Sequence, residues 1–328
     1  MSRLVSIVIN NYNYEDYVEY ALKSAIAQTH NNIEIVVVDD GSTDGSRIVI
    51  EEFESEVQAI FKENGGQASA INVGFEASSG DLVLFLDADD YLQPEAIERA
   101  VNTWEPEGAK VQFRLQCVDG EGQRIEDFVK PRWVYAMPNG NVVPTLRREG
   151  GYVMPPTSGN VFSREVLTEI LPIPTDQWSL CADAYLNLSA PFHGTIQSID
   201  DTLGYYRVHG KNAWQDISAE RDVLLHRTRV HLQKQNLVAQ LTGEQNGHRS
   251  FYPDSIFARD RFASFLLYPE GHPVPEENRL RAISYGLCST WKTDGIGWGQ
   301  RLKLILGYIG AGVLPRLVAK PILRNLLS

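Results

Sequence analysis

The chain has 328 residues, 43% hydrophobic and 22% charged, with a formal charge of −12. That composition suits one large globular domain, or a domain with an appendage, and excludes wholesale disorder. The acidic balance excludes a general nucleic-acid binder, which carries a basic footprint. Cys117, Cys181 and Cys288 are odd in number, widely spaced and in no CxxC pattern, as expected for thiols of a reducing compartment rather than a disulfide framework or zinc site.

Leu4 to Ile9 reads as a strand ending in the polar turn Asn10-Asn11-Tyr12-Asn13. The apolar run is too short for the core of a signal peptide, so none is expected. Tyr17, Val18, Ala21, Leu22, Ala25 and Ile26 recur at helical spacing, with Asp16 placed to favour the helix start. Ile33 to Val38 is apolar without alternation, hence a strand buried on both faces, and it ends in Asp39-Asp40-Gly41-Ser42-Thr43-Asp44. Ser42, Thr43 or Asp44 can cap the next helix, whose apolar face would carry Ile48, Val49 and Phe53. Val57 to Phe61 makes a third strand. After Asn64-Gly65-Gly66-Gln67 comes a helix whose small residues Ala70, Gly74 and Ala77 allow close approach to a sheet or ligand.

Leu82 to Leu86 is again uniformly apolar and ends in Asp87-Ala88-Asp89-Asp90. In a parallel sheet, ligands sit beyond the carboxyl ends of the strands, so these acids belong at the mouth of a site. Clustered carboxylates repel and raise one another's pKa unless a cation neutralises them. A hard divalent ion shared with substrate phosphates would do so. Asp90 can also cap a helix, and the pair Asp39-Asp40 can be a simple turn. Strands alternating with helices over this stretch predict an α/β fold with a mostly parallel central sheet and helices on both faces.

The alternation weakens after Trp104. Lys110 to Gln116 can be a strand, Asp119-Gly120-Glu121-Gly122 a turn, and Pro131 to Pro156 a lid or acceptor-facing region. Ser163 caps a helix to about Ile170, and Ala182 to Ala190 is another, with Asp183 at its start, where it can serve as an N-cap. Thr195 to Ile199 and Leu203 to Val208 look like edge strands. From about Asp216 a charged helix (Arg221, Arg227, Arg229, Lys234) begins, giving expected domains 1–215 and 216–328. Beyond Asp294 there is no acidic residue, yet Arg301, Lys303, Arg316, Lys320 and Arg324 stand among Leu302, Ile305, Leu306, Ile309 and Val313 at helical spacing. This basic amphipathic tail (about 299–328) can be a solvated helix, an oligomer contact or an anchor at an anionic membrane surface. No stretch reaches the roughly 20 apolar residues of a membrane span.

Taken together, Val5 to Asn13, Val36 to Asp44, Asn64-Gly65-Gly66-Gln67 with Ala70 and Asn72, and Phe85 to Asp90 resemble the ordered motifs of the family 2 glycosyltransferases. The likeness resumes at Asp183 and at Tyr205 to Asn212. It implies a GT-A fold and an inverting, metal-dependent transfer of sugar from a nucleoside-diphosphate donor, a UDP-sugar being favoured. The acceptor would be a hydroxyl of a glycan or lipid-linked molecule in surface polysaccharide or glycoconjugate synthesis. It further implies that Asn11, Tyr12 and Asp39 hold the nucleoside, with Gly66, Asp87, Ala88 and Arg207 also on the donor. Asp89, Asp87 and His209 would hold Mg²⁺ or Mn²⁺, and Asp183 would be the catalytic base. Arg207 and Lys211 could neutralise phosphate charge.

The chain departs from the family pattern at Asn10, where Pro is common, at Ile71, where Arg is common, and at Ala182 and Tyr185, where acids are frequent. The last two keep alive a non-catalytic nucleotide-sugar-binding or membrane-docked partner protein. An Asp87-nucleophile phosphohydrolase is a further alternative, poorly matched by Asp90-Tyr91. A cytoplasmic location, peripheral at the inner face of the membrane, is the expectation.

Overall fold

Val5–Asn11 (β1), Ile33–Asp39 (β2) and Leu82–Asp87 (β4) are strands whose side chains on both faces are almost all buried, which is why their sequences show no alternation. The computed structural model describes residues 2–125, 137–179, 181–210, 220–243, 255–292, 297–314, 318–319 and 321–323. The chain divides into two units, Met1–Pro144 with Tyr152–Lys211, and Thr145–Gly151 with Asn212–Ser328. The expected boundary near 216, the motif residues Lys211 and Asn212, positions 131–136 of the expected lid, and Arg316, Lys320 and Arg324 lie outside the described residues.

The first unit is built on one sheet of order β3-β2-β1-β4-β7-β6-β8-β5. Its other strands are β3 (Gln58–Phe61), β5 (Tyr91–Leu92), β6 (Gly108–Val118), β7 (Asn160–Ser163) and β8 (Thr195–Arg207). β3, β2, β1 and β4 are mutually parallel, β6 and β8 are parallel, and β7 and β5 run against their neighbours. Strand order reverses between β1 and β4, so the crevice at their carboxyl ends is the topological switch point where such folds bind ligands. Register puts Asn11 beside Asp39 and Asn10 beside Asp87 at that crevice.

Helices cover both faces. Val18, Ala21, Leu22 and Ala25 of α1 (Val18–Ile26), Ile50 of α2 (Ser46–Glu51) and Ile97 and Ala100 of α4 (Ala96–Thr103) join Ile7, Ile9, Val37, Leu84 and Leu86 in one core. Each fully buried Leu or Ile there contributes about 1.5–3 kcal/mol. On the other face α3 (Gln67–Ala77) lies so close to the sheet that a Cβ on Gly74 would come within 2.2 Å of Val8 Cγ1. Four further helices complete the sequence up to residue 189: α5 (Val143–Glu149), α6 (Arg164–Ile170), α7 (Thr175–Trp178) and α8 (Ala182–Ser189). Ser163 accepts a hydrogen bond from the Val166 N–H and caps α6 as its sequence predicts.

Two expectations need correction. On α2 it is Ile50 that faces the core, while Ile48 is 67% exposed, because the helix is a short one entered through Gly45 rather than Ser42 or Thr43. The segments Thr195 to Ile199 and Leu203 to Val208 form the single strand β8, which lies between β6 and β5. Register shifts opposite Phe113 to Leu115 absorb Asp200-Asp201. Those acids pair with Arg114 and Arg99 instead of forming a turn.

The second unit contains α9 (Arg221–Leu241), α10 (Ser255–Leu267), α11 (Arg279–Lys292) and α12 (Trp298–Val313). Leu224, Phe262, Leu266, Leu304 and Tyr308 form its core. Glycines bring α11 and α12 together: a Cβ on Gly286 would meet the Tyr308 ring at 2.5 Å, and one on Gly312 would meet Ile283 Cδ1 at 2.4 Å.

Candidate active site

The crevice is lined from three strand ends. At the end of β1, the Asn10 amide donates to Asp87 Oδ1 at 2.8 Å, and the Asn11 amide donates to Asp39 Oδ2 at 2.7 Å. The other oxygen of Asp39 accepts from the Ser42 N–H at 2.9 Å. Ser42 Oγ in turn accepts from the Asn13 N–H, and Asn13 Oδ1 from the Thr43 N–H. Asn13 itself has φ +57°, the left-handed region that asparagine tolerates best after glycine. The loops after β1 and β2 are thereby stitched together, leaving the Tyr12 ring 46% exposed beside them.

Asp40 is a buried brace. Its carboxylate accepts from the Gly65 and Gly66 N–H groups, the latter at 2.7 Å, and pairs with Lys62. Gly66 has φ +83° and lies against Ser179, whose carbonyl oxygen a Cβ would meet at 3.0 Å. A side chain there would be strained twice over. The loop leads into Gln67, whose amide donates to Asp87 Oδ1 at 3.0 Å. Asn72, the last member of that motif, is bonded in both directions to the backbone of Ile173, which anchors α3 rather than lining the crevice.

At the end of β4 the three acids have separate surroundings. Burial, and next the neighbouring Asp89, push the Asp87 carboxyl up to about 7, against the opposing hydrogen bond from Asn10. Asp90 is fully enclosed: Oδ2 accepts from the Ser158 hydroxyl at 2.6 Å and Oδ1 from the Arg207 N–H at 2.9 Å. Burial raises its pKa well above the usual range, with Asp89 and Asp87 adding to the effect. It braces β8 and the turn at 157–159 behind the site. Asp89 Oδ2 meets His209 Nε2 at 3.0 Å. The His209 ring stacks on Tyr17, centroids 4.7 Å apart, and meets the edge of Tyr14 at 5.6 Å. Burial, then the charges of Asp89, Asp87 and Asp90, drive the Tyr14 phenol strongly upward, so it stays a neutral donor to Asp89.

Asp87, Asp89 and His209 are not gathered as the three-ligand set expected: among the described residues no three His, Cys, Asp or Glu side chains group so as to hold a metal. Asp87 turns to Asn10 and Gln67, and His209 to Asp89. The donor chemistry still fits a hard cation, since Mg²⁺ is commonly held by one or two carboxylates with the rest of its shell from substrate and water. Positive charge at Asp87 and Asp89 would also offset the repulsion that raises Asp87.

Arg207, expected on the diphosphate, is packed behind the acids. Its Nε donates to the Asp89 carbonyl at 3.0 Å and its Nη1 to the Gly120 carbonyl at 2.7 Å. The rings of Tyr17, Tyr20 and Tyr91 lie 4.9 to 5.2 Å from its guanidinium carbon. That cage fixes the backbone of Asp89 in place.

Asp183 lies in the first turn of α8, partly exposed, and accepts a weak bond from Cys181 Sγ at 3.5 Å. Cys181, not Asp183, occupies the helix cap position, and no side chain caps it. The charge on Asp183 is one of the causes that raise Asp87, and the segment before α8 is tied to the Gly66-Gln67 loop by the Gln67 N–H, which donates to the Ser179 carbonyl at 3.0 Å. Tyr185 bonds the Ile170 carbonyl, and Ala182 is buried. One turn along α8, Asn187 Oδ1 accepts from the fully buried Lys110, whose Nζ also donates to Asn160 Oδ1 at 2.6 Å. Lys110, Tyr14 and Ser158 were invisible as site residues in the sequence, and Gln67 was visible only as a member of its motif. Lys110 opens the alternation Lys110-Val111-Gln112-Phe113-Arg114-Leu115 of β6, so nothing in the pattern sets it apart from the polar residues that follow.

A sheet of this order, with carboxylates gathered at its switch point and a helical region following, is a GT-A-type architecture. The chain belongs to glycosyl transferase family 2, whose sequence model matches residues 6–170. It is 38% identical over 213 residues to an uncharacterised glycosyltransferase of Nostoc sp., covering 63% of this chain and 66% of that one. It spans about a third, 32%, of the length of similar Rickettsia proteins. Among solved structures, S. aureus TarS in complex with UDP-GlcNAc has TM-score 0.54 at 18% identity, covering 99% of this chain and 90% of that one. A Pyrobaculum calidifontis mannosyltransferase in complex with GDP-Man and Mn²⁺ has TM-score 0.50 at 17% identity, covering 100% and 85%.

Proposed function

We propose that the chain is an inverting, metal-dependent glycosyltransferase that moves a sugar from a nucleoside diphosphate, a UDP-sugar being favoured, to a hydroxyl of a glycan or lipid-linked acceptor. The observation that carries this is the meeting of Asn11–Asp39, Asp87–Asp89 and the field of Asp183 at one crevice of a family 2 fold. Asp39 Oδ atoms can accept a ring N–H of uracil, and the open Tyr12 ring can stack on the base. Asp89 and Asp87 would hold Mg²⁺ or Mn²⁺, with His209 steadying Asp89. When bound, that ion supplies Lewis acidity for the charge developing on the leaving nucleotide. Asp183 takes the proton from the acceptor hydroxyl, whose oxygen attacks C1 from the face opposite the departing phosphate. TarS and the Pyrobaculum enzyme, solved with nucleotide sugars, lend this support at the level of the fold. The setting would be surface polysaccharide or glycoconjugate synthesis, at the cytoplasmic face of the membrane.

Two substitutions test the assignment. Asp183→Asn removes the base but adds no bulk, so turnover should fall by at least about 100-fold, the usual weight of general-base catalysis. Nucleotide-sugar affinity by calorimetry should stay within a factor of a few; unchanged turnover would remove Asp183 from the mechanism. Asp89→Ala should abolish the Mn²⁺-dependent part of UDP binding. If UDP, GDP and dTDP all fail to bind the native chain with either ion, the transferase reading falls.

A further inference from the structure

Helix α12 has two apolar faces. Leu304, Gly307, Tyr308, Ala311 and Gly312 are buried against the helical core. On the opposite side Trp298, Leu302, Leu306, Ile309 and Val313 are all exposed, Trp298 at 77% and Leu306 at 61%. At about 100° per residue these five lie within an arc of about 80°, and the helix is about 24 Å long. The Trp291 ring of α11 meets Trp298 at 6.2 Å, extending the ridge at its start. A single exposed apolar residue needs no explanation, but a continuous ridge marks an interaction surface.

We infer that this ridge is an interfacial surface by which the chain lies on an anionic lipid bilayer. Charge selects that occupant. In a chain of formal charge −12, the segment after Asp294 holds Arg301, Lys303, Arg316, Lys320 and Arg324 and no acid. Lys303 and Arg301 project on either side of the apolar arc at about 100° from its centre, the arrangement of helices that bury one face at the headgroup boundary. A second copy of the helix would bring like charges together with no acid in the segment to offset them, whereas anionic lipid neutralises them. Tryptophans at the helix start suit the same boundary. No described helix is long and apolar enough to cross a membrane, so the contact lies on the surface. This gives residues to the membrane-peripheral location proposed above and is independent of the transferase chemistry.

The test is flotation of the full chain on vesicles of phosphatidylcholine alone or with about one third phosphatidylglycerol. The chain should float with the anionic vesicles, less so at high salt because the electrostatic part is screened. Leu302→Glu with Leu306→Glu should reduce flotation by at least about tenfold, since charge is placed where acyl chains would be. Trp298→Ser, at a still more exposed position, should reduce it severalfold, and Lys303→Glu should weaken binding to anionic vesicles only. Identical thermal melts and retained nucleotide-sugar binding would show that the variants are folded. Absence of flotation by the native chain on anionic vesicles, or unchanged flotation of the double variant, overturns the inference. So does a native dimer that the double variant converts to monomer without any vesicle binding, which would assign the ridge to a second copy. Flotation without binding of any nucleotide sugar would instead overturn the transferase reading alone.

Discussion

Lys110 has no exposed surface, and among the described residues its Nζ meets neutral groups: the amide oxygens of Asn160 and Asn187, with the Tyr152 and Phe162 rings beyond. Burial drives its pKa well below 10.5, and the charge of Asp183 offsets only part of that. The unfolded chain therefore binds a proton that the folded chain gives up, so stability rises with pH up to the unfolded lysine value. Lys110→Met keeps the apolar stem but strips a donor from two buried amide oxygens. It should cost about 1–3 kcal/mol for each acceptor left bare, read as a lower urea midpoint, and should flatten the rise in stability toward alkaline pH. Because Asn187 lies one turn from Asp183, turnover should fall more than donor affinity. Site residues became legible in the sequence when chemistry was local to a motif, as at Asp87 to Asp90 or Asp39-Asp40. Lys110, Tyr14 and Ser158 were not, because their roles come from segments far apart in the chain. Arg207 was visible as a cation near a diphosphate motif, but its enclosure among carbonyls and tyrosine rings was not.

At the scale of elements, Glu34 joins three pieces of the first unit. It accepts from the Ser6 hydroxyl at 2.6 Å on β1 and from the Ser79 and Gly80 N–H groups, the latter at 2.9 Å, in the turn between α3 and β4. Partial burial raises its pKa, but these hydrogen bonds outweigh it and hold the carboxyl below 4.5. The stabilisation is complete above the unfolded value and is lost as pH falls through the depressed folded value. Glu34→Gln should lower the urea midpoint at neutral pH and flatten its fall toward about pH 3, with no change in nucleotide-sugar affinity. The parallel strands β1, β2 and β4 were legible because burial on both faces leaves an unbroken apolar run. The continuity of β8 was not, because Asp200-Asp201 interrupts its pattern and ion pairs with Arg114 and Arg99 compensate outside the strand itself.

Over the whole molecule, legibility follows the two units. The first hundred residues alternate strand and helix with turn chemistry between, and each motif sits where a strand ends. The second unit reads differently: the sequence marks α9 only as a charged helix, and in the fold Arg227 is buried and pairs with the fully buried Asp260 of α10 at 2.6 Å. A charge pattern alone does not distinguish a wet face from a paired, desolvated one. The exposed ridge of α12 was legible in part, since Leu302, Leu306, Ile309 and Val313 stand at helical spacing among bases, whereas the second apolar face around Leu304 and Tyr308 was not.

The pairing of Asn10 with Asp87 across adjoining parallel strands has a consequence for how such a chain can diverge. Side chains alternate faces along a strand, so losing one residue within β4 would put Ala88 in the place of Asp87, and gaining one would put Leu86 there. Replacement of single residues leaves this alignment intact; a change of length does not. A change of length is therefore better borne in a turn at the opposite rim of the sheet such as 52–57 than in the stretch from Leu82 to Asp90, where the spacing itself sets which side chain meets Asn10.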